Sequence, residues 1–203
     1  MLNNPLGRIV IASGNAGKVR EIGHFLLPLG IEVLPQTSLD VAEADEPYQT
    51  FLENALAKAR HATSVTGLAA LADDSGICIH ALAGAPGVQS ARYAGEPRSD
   101  ERNNQKLLDA LSGERDRCAH YVCVVVLLRH AADPQPIIAE GEWHGEILRA
   151  PRGAGGFGYD PLFLDPTSGR TGAEMSLADK NAVSHRGKAM RLLVERIRLL
   201  QSR

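Results

Sequence analysis

The chain has no long hydrophobic run. None of its apolar stretches approaches the ~20 residues needed to cross a bilayer, and Met1 to Arg8 has no signal-peptide core, so a cytoplasmic protein with no membrane partner is expected. Cysteine is also scarce. Cys78, Cys118 and Cys123 show no C-x-x-C spacing and each stands in an apolar, strand-like setting, which predicts three buried, reduced and inert thiols. Charge of one sign is lacking too: 22 Lys and Arg stand against 24 Asp and Glu, for a net charge of -2. That balance implies no basic face and no nucleic-acid partner. What remains is ordinary globular material, 44% hydrophobic and 23% charged, and 203 residues fit a single two-lobed domain spanning 1–203.

Against that background the run Leu71-Ala-Asp-Asp-Ser-Gly-Ile-Cys-Ile79 stands out, because two adjacent carboxylates interrupt an apolar, strand-like stretch. Extended backbone sends successive side chains to opposite faces, so Asp73 and Asp74 should diverge and one should face a cleft at a strand end. The expectation is two strands, Leu68 to Ala72 and Ile77 to Leu82, with Gly76 permitting the turn between them. Asp, Ser and Gly are turn residues, and a carboxylate at the mouth of a sheet can also hold a hard divalent cation. The residues alone leave both readings open.

The chain opens with Arg8 to Ala12, a β-branched run, followed by Ser13-Gly-Asn-Ala-Gly-Lys18 and a helix carrying Val19, Ile22, Leu26 and Leu29 on one face. Strand, glycine-bearing loop and helix start aim backbone N–H groups at one place, which suits phosphate. The P-loop pattern itself fails, since Val19 follows Lys18. Ile31 to Pro35 is expected as a second strand. Thr50-Phe-Leu-Glu53 fits a capping box opening a helix to about Ser64, on which Glu53, Asn54 and Lys58 look like capping and surface pairing. A polar helix from Asp100 to Leu111, strands over Cys118 to Arg129 and Ile137 to Leu148, and a long final helix complete an α/β pattern with a mixed sheet.

Two later stretches carry chemistry. Gly153-Ala-Gly-Gly-Phe-Gly-Tyr-Asp-Pro161 contains G-x-G-x-x-G by letter, but Tyr-Asp-Pro follows where a helix should begin, so the match is spurious. Phe157, presented by a glycine loop, can stack on a nucleobase. Lys180 and then Ser184-His-Arg186 lead into the final helix. A His and an Arg at a helix N-terminus suit bound anions or carbonyl oxygens better than they suit the helix.

Taken together, Ser13 to Lys18, Thr50 to Ala55, Ala72-Asp-Asp-Ser-Gly76, Gly84-Ala-Pro-Gly87 with Ser90-Ala-Arg-Tyr93, Gly155 to Pro161 and Ser184-His-Arg186 occur in the order found in one family. The sequence resembles the inosine/xanthosine triphosphate pyrophosphatases, from about Arg8 to Leu200. The resemblance implies an elongated mixed sheet flanked by helices, with two lobes around a central nucleotide-binding cleft. It also implies a Mg²⁺-dependent homodimer that hydrolyses deaminated purine nucleoside triphosphates (ITP, dITP, XTP) to the monophosphate and pyrophosphate.

By similarity, Asp74 matches the metal ligand and proton acceptor. Ser13, Gly14, Asn15, Ala16, Gly17 and Lys18 match the phosphate-gripping loop, and Ser75 a further substrate contact. Phe157, Gly158, Tyr159, Asp160, Lys180, His185 and Arg186 match the remaining nucleotide-binding positions. The second acidic metal ligand falls on Asp45 or Glu46. On chemistry, Lys18 and Lys180 would neutralise phosphate charge, and His185 and Arg186 could donate to a 6-oxo oxygen. A Maf-type pyrophosphatase and a non-catalytic nucleotide sensor are the alternatives. The Gly-Phe-Gly-Tyr-Asp and Ser-His-Arg motifs argue against the first, and Asp74 against the second.

Overall fold

The computed structural model describes residues 6–201. Strand β1 (Arg8–Ile11) leads into helix α1 (Ala16–Leu26), then β2 (Glu32–Pro35), α2 (Phe51–Thr66) and β3 (Ala69–Ile79). Helix α3 (Asp100–Ala110) precedes β4 (Cys118–Leu128) and β5 (Ile137–Ile147). Short strands β6 (Phe163–Asp165) and β7 (Arg170–Thr171) follow, then α4 (Leu177–Val183) and α5 (His185–Gln201).

The strands make one seven-stranded sheet in the order β2-β1-β3-β4-β5-β6-β7. Strand β1 runs parallel to β2 and β3, with Ile9 opposite Val33 on one side and Ala69 on the other. The β5–β6 and β6–β7 pairs are antiparallel, so the sheet is mixed and the α/β class holds.

Local chemistry explains the element ends. The Asn15 carboxamide caps α1 by accepting from the N–H groups of Gly17 (2.8 Å) and Lys18 (3.1 Å). After a short 3₁₀ turn, Gly30 at φ +67° closes the segment in the left-handed conformation that glycine tolerates. The Thr50 hydroxyl accepts from Glu53 N–H and donates to the Glu53 carboxylate, and α2 then runs two residues beyond the expected Ser64.

The chain divides into two compact units. The first comprises residues 1–74, 123–141 and 186–203, and its core packs Ile9, Ile11, Ile22, Leu26, Leu71, Val125, Leu127, Met190 and Ile197. The second comprises residues 75–122 and 142–185 around Ile77, Ile79, Leu107, Leu111, Trp143 and Phe163. Among the described residues, no helix is long and apolar enough to cross a membrane.

Two expectations are corrected here. The acidic pair lies in no turn: β3 is one uninterrupted strand of 11 residues with Asp73 and Asp74 at its middle, both buried. Turn propensity is overridden because cations from distant elements meet each carboxylate inside the fold. The thiols are not uniformly buried either. All three are free, but Cys118 is exposed, Cys78 is half-buried and only Cys123 is buried. Cys118 opens β4 on the alternate, outward face, where burial runs exposed, buried, intermediate, buried.

Candidate active site

In the first unit, the alternation of β3 gives its two carboxylates different company. Oδ2 of Asp73 receives the Lys18 ammonium (3.1 Å) and Nη2 of Arg186 (2.9 Å), with the Cys123 sulfur at 4.0 Å. Another guanidinium nitrogen of Arg186 donates to the buried Glu21 of α1. Burial alone would raise the Asp73 pKa, but Lys18, Arg186 and Lys58 together hold it well below the usual carboxylate range. Burial likewise opposes charge on Arg186, and Asp73 and Glu21 more than restore it. The Cys123 thiol, buried and beside the Asp73 carboxylate, is pushed up to about 12 and stays protonated.

Asp74 faces α2. Its Oδ1 lies 2.9 Å from the Lys58 ammonium, which is itself 2.7 Å from Oε1 of Glu46. Asn54, one helical turn before Lys58, donates to Oδ2 of Asp74 (3.4 Å). The same carboxamide accepts from Tyr48 N–H (3.1 Å) and donates to the Tyr48 carbonyl (3.2 Å). Burial, the largest influence, raises the pKa of Asp74; Lys58 and Lys18 pull it down, and Glu46 adds to the rise. With no cation other than the lysines beside it, the balance is upward, so that Asp74 takes up a proton more readily than an ordinary aspartate. Lys58 stays protonated because Asp74, Asp73 and Glu46 outweigh its burial.

Two carboxylates from separate segments therefore converge on one cation, the Lys58 ammonium. This is an all-oxygen donor pair of the kind that suits a hard divalent ion. Among the described residues no group of three or more His, Cys, Asp or Glu is arranged to hold a metal. Mg²⁺ commonly takes one or two carboxylates and completes its shell with substrate phosphate and water, so the pair fits that ion.

The second unit holds a different group. Asp160 Oδ2 accepts from the buried Lys180 ammonium (2.6 Å) and from the N–H of Phe157 (2.9 Å). The Lys180 ammonium also sits 4.6 Å from the centre of the Phe157 ring, within cation–π range. The glycine loop is shaped by its own aspartate: a Cβ on Gly156, at φ +72°, would lie 2.1 Å from Oδ2 of Asp160. Tyr159 is buried and donates to the Ser90 carbonyl (2.9 Å); burial first, then Tyr93 and Asp100, keep its phenol from ionising. His185 stacks face to face on Tyr121, centroids 4.5 Å apart, with Trp143 beyond.

The residues singled out in the sequence thus fall into two groups. Lys18, Glu46, Asp74 and Arg186 belong to the first unit, and Phe157, Gly158, Tyr159, Asp160, Lys180 and His185 to the second. Asp45 is exposed, and Glu46 is the acid joined to Asp74 through Lys58. In the loop before α1, Ser13 accepts from Asn15 N–H, and Glu43 crowds Gly14, where a Cβ would meet its carboxylate at 2.4 Å. Ala16 begins the helix, and Ser75 follows Asp74 on β3, half-buried. Arg186 is engaged with Asp73 and Glu21, so contact with a base would require it to leave them. Sequence reasoning misses Asn54 and Lys58, which it treats as surface residues. Their signal was spacing: positions 54 and 58 continue the stripe through Ala55, Ala59 and Ala62 that the helix buries.

The chain is similar to known proteins along nearly its whole length. The model of the Ham1 family matches residues 9–196. The chain is 65% identical over 190 residues to a dITP/XTP pyrophosphatase of Nitrosomonas europaea, covering 94% of each chain. It is 63% identical to one of Ralstonia nicotianae, over 96% of this chain and 98% of the other. Its fold is similar to the structure of a HAM1 protein from Coxiella burnetii, with a TM-score of 0.87, 47% identity and coverage of 97% and 99% of the two chains.

Proposed function

This chain belongs to the Ham1 family, and from that premise we propose that it is a hydrolase of deaminated purine nucleoside triphosphates, converting dITP, XTP and ITP to the monophosphate and pyrophosphate. The observation that carries the reading is Asp74, a buried carboxylate with a raised pKa, flanked by Lys58 and a second carboxylate. Release of pyrophosphate with a monophosphate left behind requires the α–β bridge to break, and we take the attack to be at the α-phosphorus. A bond forms from water oxygen to that phosphorus, the bridge to the β-phosphate breaks, and the water proton passes to Asp74.

Such a displacement depends on positioning and charge neutralisation more than on covalent help. Lys58 and Lys18 are fixed ammonium groups for that purpose. Glu46 and Asp74 would hold Mg²⁺, whose contribution when bound is neutralisation of the triphosphate charge. Asn54 keeps the Asp74 carboxylate turned toward Lys58. In the second unit, Phe157 offers a ring for stacking on the base, with Lys180 and Asp160 fixing its surroundings. His185 is the donor assigned to the 6-oxo oxygen. A homodimer is the assembly expected of the protein, tested by sedimentation.

Pyrophosphate release from ITP, XTP, GTP, ATP and dTTP, each with and without Mg²⁺, tests the reaction. Mg²⁺-dependent release from ITP and XTP with little from GTP and ATP is the expected result. Absence of release from every triphosphate overturns it.

A further inference from the structure

We propose that Asp100 and Asn104 of α3 are positioning residues for base recognition, acting through Gly158; this rests on the reading of Phe157 as the ring that meets the base. The two lie four residues apart on one helix face. Oδ2 of Asp100 accepts from Gly158 N–H (2.6 Å), and Nδ2 of Asn104 donates to the Gly158 carbonyl (2.9 Å). A single helix face thus grips both polar atoms of one backbone residue, 58 and 54 positions further along the chain.

The grip falls where the loop would otherwise turn freely. Gly158 has φ +63°, and nothing lies within 4 Å of a Cβ built on it, so glycine is required for conformation and not for space. Phe157 N–H is tied to Asp160 on one side, and the Tyr159 hydroxyl to Ser90 on the other. The helix is itself anchored. Ser99 caps its first turn, while Asn103 accepts from Ala94 N–H (2.7 Å) and donates to the Ala91 carbonyl (3.0 Å). Helix α3 is therefore the frame against which the Phe157 ring is held, and neither Asp100 nor Asn104 needs to touch the nucleotide.

The test compares wild type with Asp100→Ala, Asn104→Ala, the double variant and Asp100→Asn, which keeps an acceptor oxygen without the charge. Losing two modest hydrogen bonds should raise KM for dITP about three- to tenfold in the double variant, with kcat within about twofold. Asp100→Asn should retain most of the affinity, and the melting temperature should change little. An unchanged KM, or a fall in kcat that tracks a fall in melting temperature and is not relieved in Asp100→Asn, overturns the proposal. Amide exchange at Gly158 gives a readout that needs no turnover: faster exchange in Asp100→Ala is expected, and unchanged exchange sinks the clamp. Wild-type protein that cleaves no dITP would instead sink the functional reading on which the clamp rests.

Discussion

The two polar groups of this molecule hold their carboxylates by opposite means. Asp73 and Asp74 are surrounded by cations delivered from α1, α2 and α5, so the first unit fixes its charges through side chains far apart in sequence. Asp160 is held mostly from nearby, by the Phe157 N–H three residues before it and by one lysine twenty residues on. A network of buried opposite charges is stiff because any displacement leaves a charge uncompensated. A glycine loop is shaped by backbone geometry and by the surface it rests on. The first design suits a reaction in which a proton acceptor and cations must be in place beforehand, and the second suits recognition of a flat ring.

The largest test of this division is Asp74→Asn. If the chemistry belongs to the first unit, turnover should fall about 10²- to 10⁴-fold, the range of a lost general base. Calorimetric binding of ITP should survive, because the ring contacts are untouched. Loss of binding together with turnover would break the division.

Next come the cations. Arg186→Met leaves Asp73 and Glu21 buried without their shared guanidinium and should cost about 3–5 kcal/mol in urea unfolding. Lys180→Met leaves Asp160 still bonded to Phe157 N–H and should cost less. Equal losses would mean that the two units are held in the same way.

The smallest effect sharpens the comparison by separating charge in general from the cluster itself. Arg129 and Asp133 form an ion pair in the first unit, and Asp133 also accepts from Arg129 and Gln135 N–H. The Arg129 side chain, with these N–H groups, holds Asp133 well below the usual carboxylate range. A depressed pKa means stability that is present at neutral pH and lost as pH falls through the folded-state value. Asp133→Asn should therefore cost about 1–2 kcal/mol at pH 7, and the gap from wild type should narrow below about pH 4. Turnover should not change. A slowed reaction would show that charge throughout the unit, and not the cluster around Asp74, sets the rate.

How much of this was legible follows the range of the interactions. The β1–loop–α1 segment reads directly, since a β-branched run, an asparagine cap and a closing glycine act within a few residues of one another. The strands of β4 and β5 announce themselves by apolar content. Strand β3 does not, because Asp-Asp-Ser-Gly favours a turn locally and is extended only through Lys18, Lys58 and Arg186, the last 113 positions away. Long-range electrostatics defeats local propensity there. For Arg186 the motif carried the position, but its partners Asp73 and Glu21 come from elements no local pattern connects to it. Asn54 and Lys58 look like solvated helix residues until the face they share with the alanine stripe is counted. Cys118 escapes the sequence for a simpler reason: being in a strand does not say which face.

The bond between Asn54 and the Tyr48 backbone has a mechanical meaning. Residues 41–48 form no helix or strand, yet they carry Glu46, and Asn54 stitches the segment to α2 just two residues past that acid. Glu46 is thus on a short tether. One residue inserted between Glu46 and Tyr48 adds about 3.5 Å of chain, more than the 2.7 Å contact to Lys58 that it would displace. An insertion before Glu46 leaves that spacing unchanged. In this protein the placement of a charge is set by counting residues from a knot.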